Sequence, residues 1–405
     1  MDSEKSTFII CGKYKSDLER LDIEVYSESL ETTSLKKDST FSLGWRTDRI
    51  IHFMLIGDMG NYIGPDINSE SWMQDYRSIL GDYSINKLCI PGSHDAGMSS
   101  ITWKTTLVRE CNTLTQSNNI LEQLKLGIRY FDIMPVLKDG HFFTGHYREI
   151  LFMWEGANGE SVDSIIDGIN DFTKSNNELI IIRLDHSLDL DVGFFEKYHS
   201  FYQEQWVNLF NKLSGIEYLY FHNGEYNISG LTFDKLTDNG NHAAVLIFVE
   251  SKDTKVDLQE YHNQGFFYLN KLNKLNKLNK LNKLNKLNKL NKLNKLNKLN
   301  MYHKYSNTSS IFQMGSDQIA KMKKHAPIQY FVLSWILTQD IAQVTTCYSS
   351  IKDLGDEENN ELTYILYPHI TKMEYPNIIL TDNVKDKIAA ILSLIINWTI
   401  QLGNL

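Results

Sequence analysis

The sequence has six prolines, four cysteines and no long uninterrupted apolar run. Its cysteines, Cys11, Cys89, Cys111 and Cys347, form no CxxC pair, so their spacing favours neither a zinc site nor a disulfide framework. The polar first residues lack the apolar stretch of a secretory signal. The most apolar late segment, 388–402, contains polar residues and is shorter than the roughly 20 residues of a membrane span, so it predicts a core helix. These absences predict a cytoplasmic protein without a transmembrane segment.

The charge of the chain disfavours nucleic-acid binding. The formal net charge of the 405 residues is -9, and ten of the 41 basic residues lie in one tract, 269–300. The rest of the chain is therefore more acidic than the average suggests. An acidic body argues against a general nucleic-acid partner. The hydrophobic fraction of 42% is enough for a full core, which predicts a folded protein.

Two kinds of pattern divide the chain. Residues 1–71 contain short extended runs, which predict a β-rich N-terminal module of unknown role. From 72 to 405, near-continuous apolar runs alternate with helical patterns, which indicates a parallel sheet covered by helices. The number of units favours an α/β fold with a closed β/α barrel. The predicted strands are Thr7–Cys11, Leu21–Tyr26, Ile50–Ile56, Lys87–Ile90, Ile128–Ile133, His141–Thr144, Leu179–Leu184, Ala243–Val249, Gln329–Leu337 and Asn377–Leu380.

The lysine-rich tract is an uninterrupted Leu-Asn-Lys triplet repeat from Leu269 to Asn300. A helix turns every 3.6 residues, so a period of three cannot hold the leucines on one face over this length. The repeat predicts a solvated low-complexity insertion between two barrel strands. Two alternatives stay open: a basic arm that contacts anionic lipid, and a stable helical structure.

Four successive predicted strands end in ionisable residues. One such residue is easily structural, and for Asp132 the alternative is a salt bridge with Arg129 or another base. Four in succession are hard to explain by packing alone. Two histidines across a pocket suit phosphodiester cleavage, since one can deprotonate an attacking hydroxyl and the other can protonate the leaving oxygen. The residues at the strand ends are His94 with Asp95, Asp132, His146, and Asp185 with His186.

Several of these segments resemble the X domain of phosphatidylinositol-specific phospholipases C. The segments are IPGSHDAG, GIRYFDI, the following Gly-His and NELIIIRLDHS, joined by Trp72-Met73, VLSWILT and Asn377–Ile379 with Asp382. The likeness is to the cytosolic X domain-containing branch and to bacterial single-domain enzymes, and it spans residues 72 to 400 apart from the repeat. It implies a distorted TIM-type barrel and a phospholipid substrate at a membrane surface. It also implies cleavage in two steps through a cyclic inositol phosphate.

The resemblance also implies roles for single residues. His94 matches the general base and His146 the general acid, while Asp132 and Asp95 complete the catalytic set. The residues predicted to bind substrate are Arg183, Asp185 and His186.

Position 134 departs from the family pattern. Two residues after Asp132, metal-free members carry an arginine and calcium-dependent members an aspartate, whereas this chain has Met134. Arg129 is a poor substitute because its odd offset points it to the other face of the strand, which leaves Arg183 as the candidate cation. The pattern indicates no required cofactor, and a role for calcium stays open. It indicates no protein partner. The alternative function is a catalytically silent phospholipid or inositol-phosphate binding module.

Overall fold

A computed structural model describes most of the chain. The described residues are 8–14, 20–28, 35–45, 51–58, 61–63, 67–106, 108–150, 153–192, 199–222, 227–250, 256–271 and 298–402. The strands are β1 Phe8–Tyr14, β2 Arg20–Glu28, β3 Leu35–Trp45, β4 Ile51–Asp58, β5 Asn61–Ile63, β6 Ile90–Ser93, β7 Trp103–Lys104, β8 Tyr130–Ile133, β9 Pro135–Lys138, β10 His141–Ile150, β11 Met153–Ser161, β12 Leu179–Leu184, β13 Leu188–Asp189, β14 Ala244–Val249, β15 Phe266–Lys271, β16 Lys298–His303, β17 Tyr330–Trp335 and β18 Ile378–Thr381.

The described helices lie in the segments that join the strands or follow the last strand. They are α1 Trp72–Asp75, α2 Arg77–Leu80, α3 Ile120–Lys125, α4 Val162–Thr173, α5 Gln203–Leu213, α6 Phe233–Leu236, α7 Ile311–His325, α8 Ile341–Thr346, α9 Ile351–Leu366 and α10 Ile388–Leu402. The predicted last core helix coincides with α10. Among the described residues, every helix falls short of the length and apolar character needed to span a bilayer.

Eight parallel strands close into a barrel, as the apolar runs predict. Around the ring the order is β6, β8, β12, β14, β15, β16, β17 and β18, which is also their order along the chain. The sequence of β12, LIIIRL, shows why these strands form: all six residues are buried. A strand covered by helices on one side and by the barrel interior on the other needs such a continuous apolar run. The fold is therefore a TIM-type α/β barrel.

The helical pattern before β12 forms α4 as predicted. The hydroxyl of Ser161 accepts a hydrogen bond from the backbone N–H of Ser164 and caps the helix. The apolar face of α4, which includes Ile165 and Ile169, packs in the same core cluster as Ile180 of β12. Burial of this face holds the helix against the barrel.

A second, five-stranded sheet is inserted beside the barrel, in the order β13-β9-β10-β11-β7. The predicted strand His141–Thr144 belongs to this sheet, and it runs on through His146 to Ile150. The prediction that His146 follows a barrel strand is therefore wrong. The apolar run alone could not distinguish an inserted antiparallel strand from a barrel strand, because both are short and buried.

The Leu-Asn-Lys tract supplies residues to the barrel itself. Its first triplet lies in β15 and its last residues lie in β16, with Leu269 opposite Leu299 in parallel register. Both leucines are buried. Residues 272–297 lie outside the described residues, so the insertion stays a prediction for them. The N-terminal strands form a three-stranded antiparallel sheet, β1-β4-β5, and a separate β2-β3 pair. The role and the boundary of this module also stay predictions.

The cysteines correct a second expectation. Cys111 and Cys347 form a disulfide across 236 residues of sequence, with 5.7 Å between their Cα atoms. Cys89 is free and buried. The spacing along the chain could not reveal the pair because the barrel closure, which brings distant loops together, is a property of the fold rather than of local sequence.

Candidate active site

His94 follows β6 directly, as predicted, and its side chain is 16% exposed. Its Nδ1 lies 2.9 Å from Oδ1 of Asp382, a buried carboxylate that directly follows the neighbouring strand β18. The backbone N–H of His94 donates to the carbonyl of Thr381. The imidazole is thus fixed by two contacts to one strand end, and its Nε2 is left to face the pocket.

The imidazole of His146 is held by a backbone group of the segment before α3. Its Nδ1 donates to the backbone carbonyl of Thr113 at 2.9 Å. A carbonyl only accepts hydrogen bonds, so Nδ1 carries a proton in either charge state of the ring. The register of β10 against β11 shifts between Phe143 and Gly145, just before this residue. Such irregularities re-aim a side chain.

Glycine is required beside His146 by a close approach. A Cβ on Gly145 would lie 2.4 Å from Cγ2 of Val136, closer than real Cβ atoms come to a neighbour. The sequence Gly145-His146 therefore reflects tight packing of β10 on β9. It places His146, whose side chain is 29% exposed, in the second sheet.

Asp95 joins the two histidines. Its Oδ2 lies 3.6 Å from Nε2 of His94 and 3.9 Å from Nε2 of His146. The structure therefore brings together all three of these predicted site residues, although His146 arrives from the second sheet. A group centred near this oxygen can contact both imidazoles.

The charge state of His94 is set by its carboxylate neighbours. Burial lowers the pKa of His94, but the carboxylates of Asp95 and Asp382 outweigh this effect and raise the pKa to about 10. His94 is therefore an imidazolium at neutral pH in the protein without substrate. Burial raises the pKa of Asp382, against the opposing effect of His94.

Asp132 pairs with Arg183, and not with Arg129. Arg183 is opposite Asp132 in the parallel register of β12 and β8, and its Nη1 donates to both carboxylate oxygens at 3.0 Å. Arg129 instead forms a fully buried ion pair with Glu178. Burial raises the pKa of Asp132, and Arg183 and His94 oppose that rise.

The guanidinium of Arg183 is the centre of a buried network. Besides Asp132, it donates to Glu250 at 2.6 Å, to Asp185, and to Nδ1 of His303 at 3.0 Å. The side chain is 1% exposed. A buried charge of this kind is stable only when it is paired this thoroughly.

The other predicted binding residues lie at the outer edge of this network. His186 is 47% exposed and its Nδ1 lies 2.7 Å from Oδ2 of Asp185. Its backbone φ is 50°, in the left-handed region. Asp185 thus connects the exposed imidazole to the buried Arg183.

Met134 offers no charge to the pocket. Its side chain is buried in a small apolar cluster with Val136, Tyr147 and Leu188. Position 134 therefore serves the core between the barrel and the second sheet. Among the described site residues, the arginine that pairs with the carboxylates is Arg183 of β12.

A calcium ion does not fit this arrangement. The carboxylates of Asp132, Asp185 and Glu250 converge on the Arg183 guanidinium, which takes the place that a cation would need. Among the described residues, no group of three or more His, Cys, Asp or Glu side chains is arranged to hold a metal ion. The donor set supports an arginine-centred network.

Four residues of the site were assigned no role from the sequence. Asp382 and Glu250 directly follow β18 and β14, so the rule that located the other strand-end residues would also have found them. His303 ends β16 and Tyr305 lies two residues later, with its ring 5.4 Å from that of His94 and 4.8 Å from that of His303. Because β16 begins inside the Leu-Asn-Lys repeat, the pattern of apolar runs did not predict this strand.

The fold places these residues in a barrel shared with known enzymes. Neither a protein-family model nor a curated protein matches the sequence. Solved structures do match. The phosphatidylinositol-specific phospholipase C of Staphylococcus aureus with incorporated pentafluorophenylalanine has a TM-score of 0.52 and 15% identity, over 80% of this chain and 97% of that one.

Two further structures are similar. One, from work on the modulation of membrane binding by the S. aureus enzyme, has a TM-score of 0.51 and 16% identity, over 80% of this chain and 97% of that one. The phosphatidylinositol-specific phospholipase C of Listeria monocytogenes has a TM-score of 0.49 and 14% identity, over 81% of this chain and 98% of that one. The S. aureus structures establish the likeness of fold, a TIM-type barrel of the kind found in bacterial phosphatidylinositol-specific phospholipases C.

Proposed function

We propose that the protein is a phosphoric diester hydrolase that cleaves phosphatidylinositol or a related phospholipid. The observation that carries the proposal is the placement of Nε2 of His94 and Nε2 of His146 within 4 Å of the same Asp95 oxygen. Two imidazoles beside one small volume can act on both sides of a single phosphorus atom. The shared fold of the S. aureus phospholipases supports the same reaction class.

The proposed mechanism divides the work between the two histidines. The neutral form of His94 takes the proton of the inositol 2-hydroxyl as that oxygen attacks phosphorus, and Asp382 stabilises the resulting imidazolium. His146 gives the proton on Nε2 to the leaving diacylglycerol oxygen as the P–O bond breaks. The product is a cyclic inositol phosphate. Water then opens the ring, with the two histidines in exchanged roles.

The remaining residues have supporting roles in this proposal. Asp132, held by Arg183, places a carboxylate beside His94, and Asp95 stands between the two imidazoles. The ring of Tyr305 offers an apolar face on which the sugar ring can pack. His186, at the outer edge, can exchange hydrogen bonds with head-group hydroxyls, and the buried Asp185 holds its imidazole. No step requires a metal ion.

The reaction is tested by release of water-soluble inositol phosphate from phosphatidylinositol in mixed micelles. We expect release by the purified protein that is equal in calcium and in chelator, because Arg183 takes the place of a cation. Release only in calcium would overturn the arginine-centred site. If folded protein released no inositol phosphate in any condition, the proposal that it is a hydrolase would be wrong.

The raised pKa of His94 makes a prediction about pH. The general base must be deprotonated while the general acid stays protonated, so the limb of the kcat/KM profile that reports His94 is expected near pH 10, since the pKa of His94 is about 10. Asp382→Asn removes one of the carboxylates that raise this pKa. That limb should therefore move to lower pH by about one unit or more. The measurement is kcat/KM against pH, with the exposed Asp171→Asn as the control, and an unmoved limb would argue against His94 as the base.

Exposed apolar side chains at the mouth of the barrel support contact with a lipid surface. Phe312 is the second residue of α7, Ile341 is the first residue of α8, and Tyr348 lies two residues beyond α8. These segments leave the carboxyl ends of β16 and β17. The three side chains are 81%, 84% and 66% exposed. A hydrogen bond from Thr338 N–H to the Thr308 carbonyl ties the two loops together. Large apolar groups presented together at a site entrance favour an interface.

Ile341→Glu is expected to lower activity on phosphatidylinositol vesicles by about tenfold or more, since burial of an isoleucine contributes roughly 1.5–3 kcal/mol. Activity on a soluble monomeric substrate should stay unchanged. The matched control is Ile328→Glu, because Ile328 is 71% exposed but precedes β17 at the opposite end of the barrel. Equal losses for both variants would show that the mouth has no special role at the vesicle.

The proposal includes a cytoplasmic location with peripheral attachment to membranes. The Cys111–Cys347 disulfide bears on this location, since disulfides in a reducing cytosol are usually transient or redox-sensing. A cytoplasmic protein with this pair would alternate between oxidised and reduced forms.

A second candidate function is a catalytically silent module that binds a phospholipid or inositol phosphate. Met134 favours it, because the side chain there cannot neutralise charge that develops on the phosphoryl oxygens. The two functions separate by experiment. A silent module would bind phosphatidylinositol vesicles without releasing inositol phosphate, and its binding would be unaffected by His94→Ala.

A further inference from the structure

We infer that the Cys111–Cys347 disulfide positions His146, and that its reduction by a dithiol weakens general-acid catalysis selectively. The inference rests on the proposed function for the role of His146 as the acid. It goes beyond that function because it states that a disulfide, which we call the brace, fixes the position of one of the two catalytic histidines. Activity would then depend on thiol reductants.

The disulfide lies two residues from the group that holds His146. Cys111 is in the short 3-10 turn Glu110–Asn112, and the next residue, Thr113, offers the carbonyl that accepts from Nδ1 of His146. Thr113 is buried, so its carbonyl cannot exchange this partner freely with water. The position of the turn therefore sets the position of the imidazole.

On the other side, the disulfide is anchored to the end of α8. Cys347 caps this helix in the left-handed conformation, with φ 58°. Three hydrogen bonds join the same segments: Asn112 Nδ2 donates to the Val344 carbonyl at 3.4 Å, Gln339 Nε2 donates to the Cys111 carbonyl at 3.0 Å, and Arg109 Nη1 donates to Sγ of Cys347 at 3.9 Å. The first of these is long. The disulfide is the covalent link between the turn and the loop beyond β17.

The imidazole of the second histidine is held by groups outside this link, although Gln116, further along the same segment, donates from Nε2 to the His94 carbonyl at 2.9 Å. Nδ1 of His94 is held by Asp382 at the end of β18, and its backbone by Thr381. These contacts lie within the barrel, whose closed ring of strands is unaffected by the thiols. Opening the disulfide should therefore disturb the acid and spare the base.

The redox step is a thiol–disulfide exchange. The Cys111–Cys347 S–S bond takes up two electrons and two protons and gives two thiols, while the dithiol reductant is oxidised to its own disulfide. Both cysteines are partly exposed, so a small dithiol can reach them. Cys89 is buried and free, and takes no part.

The first test compares leaving groups before and after dithiothreitol. A general acid matters most when the leaving oxygen is strongly basic, so reduction should lower kcat about tenfold or more for an alkyl inositol phosphodiester. The loss should be much smaller for the 4-nitrophenyl analogue, whose leaving oxygen needs no proton. Thiol titration should show a gain of two thiols per chain. An equal loss for both substrates would overturn the selective role.

The second test does not need catalysis. On reduction, amide hydrogen exchange in the segment 109–113 should accelerate, and the NMR signals of the His146 ring should shift while those of the His94 ring stay. The double variant Cys111→Ser/Cys347→Ser should reproduce both changes and show no further response to dithiothreitol. A gain of two thiols without change in exchange or in the His146 signals would overturn the brace. These readouts remain valid even if the protein hydrolyses no phosphodiester.

Discussion

His94→Ala is expected to lower kcat/KM for phosphatidylinositol by about 10³-fold, the usual contribution of a positioned acid or base. The variant removes the imidazole that takes the proton of the attacking hydroxyl, so Asp382 loses its imidazole partner and Asp95 loses the nearer of its two imidazoles. Both carboxylates then repel the phosphodiester anion. The measurement is initial release of inositol phosphate from mixed micelles, with the fold checked by circular dichroism.

The matched control is His242→Ala. His242 is exposed and precedes β14, at the end of the barrel opposite to the site. This variant should retain full activity, which separates loss of the base from loss of any histidine. A folded His94→Ala protein with activity near that of the original protein would remove His94 from the mechanism.

Arg183→Met is expected to reduce the free energy of unfolding by about 3–5 kcal/mol at neutral pH, the usual result of removing one partner of a buried ion pair. Methionine keeps much of the side-chain volume but leaves the carboxylates of Asp132, Asp185 and Glu250 buried without their shared donor. Urea denaturation followed by fluorescence gives the free energy.

The pH dependence of this loss tests its cause. Burial raises the pKa of Asp132 and Arg183 opposes that rise, so without Arg183 this carboxylate takes up a proton more readily as the pH falls, and the repulsion at the site weakens. The difference in stability between the two proteins should therefore shrink at low pH. Arg129→Met, at the buried pair with Glu178, serves as the control. It should destabilise the fold without removing a donor from the site. A loss for Arg183→Met that does not change with pH would point to packing rather than to charge.

Much of the barrel could be predicted because its strands are locally encoded. Leu179–Leu184 and the final helix are continuous apolar segments, and their observed bounds match those predicted from the sequence. The strand-end rule then placed His94, Asp132 and Asp185 at the correct end of the barrel. Parallel strands meet at one edge, so their last residues must converge whatever the details of the loops.

What the sequence could not show depends on contacts between distant segments. His146 reaches the pocket from an inserted sheet, and its partner is a backbone carbonyl, which no residue type reveals. The disulfide partners lie on different loops. Strands β15 and β16 include the first and last residues of the Leu-Asn-Lys repeat. A period of three residues predicts neither a helix nor a strand, so these two strands could not be predicted. The carboxylates around Arg183 could be located, but only the structure shows that they converge on one guanidinium.

The most direct test of the proposed mechanism is the identity of the first phosphorus-containing product. ³¹P NMR of phosphatidylinositol micelles during turnover distinguishes a cyclic phosphodiester from a linear monoester. Attack by the neighbouring hydroxyl, with His94 as base and His146 as acid, predicts that the cyclic phosphate appears first and the monoester later. A linear monoester formed from the outset, with no cyclic product at any time, would contradict the two-histidine mechanism.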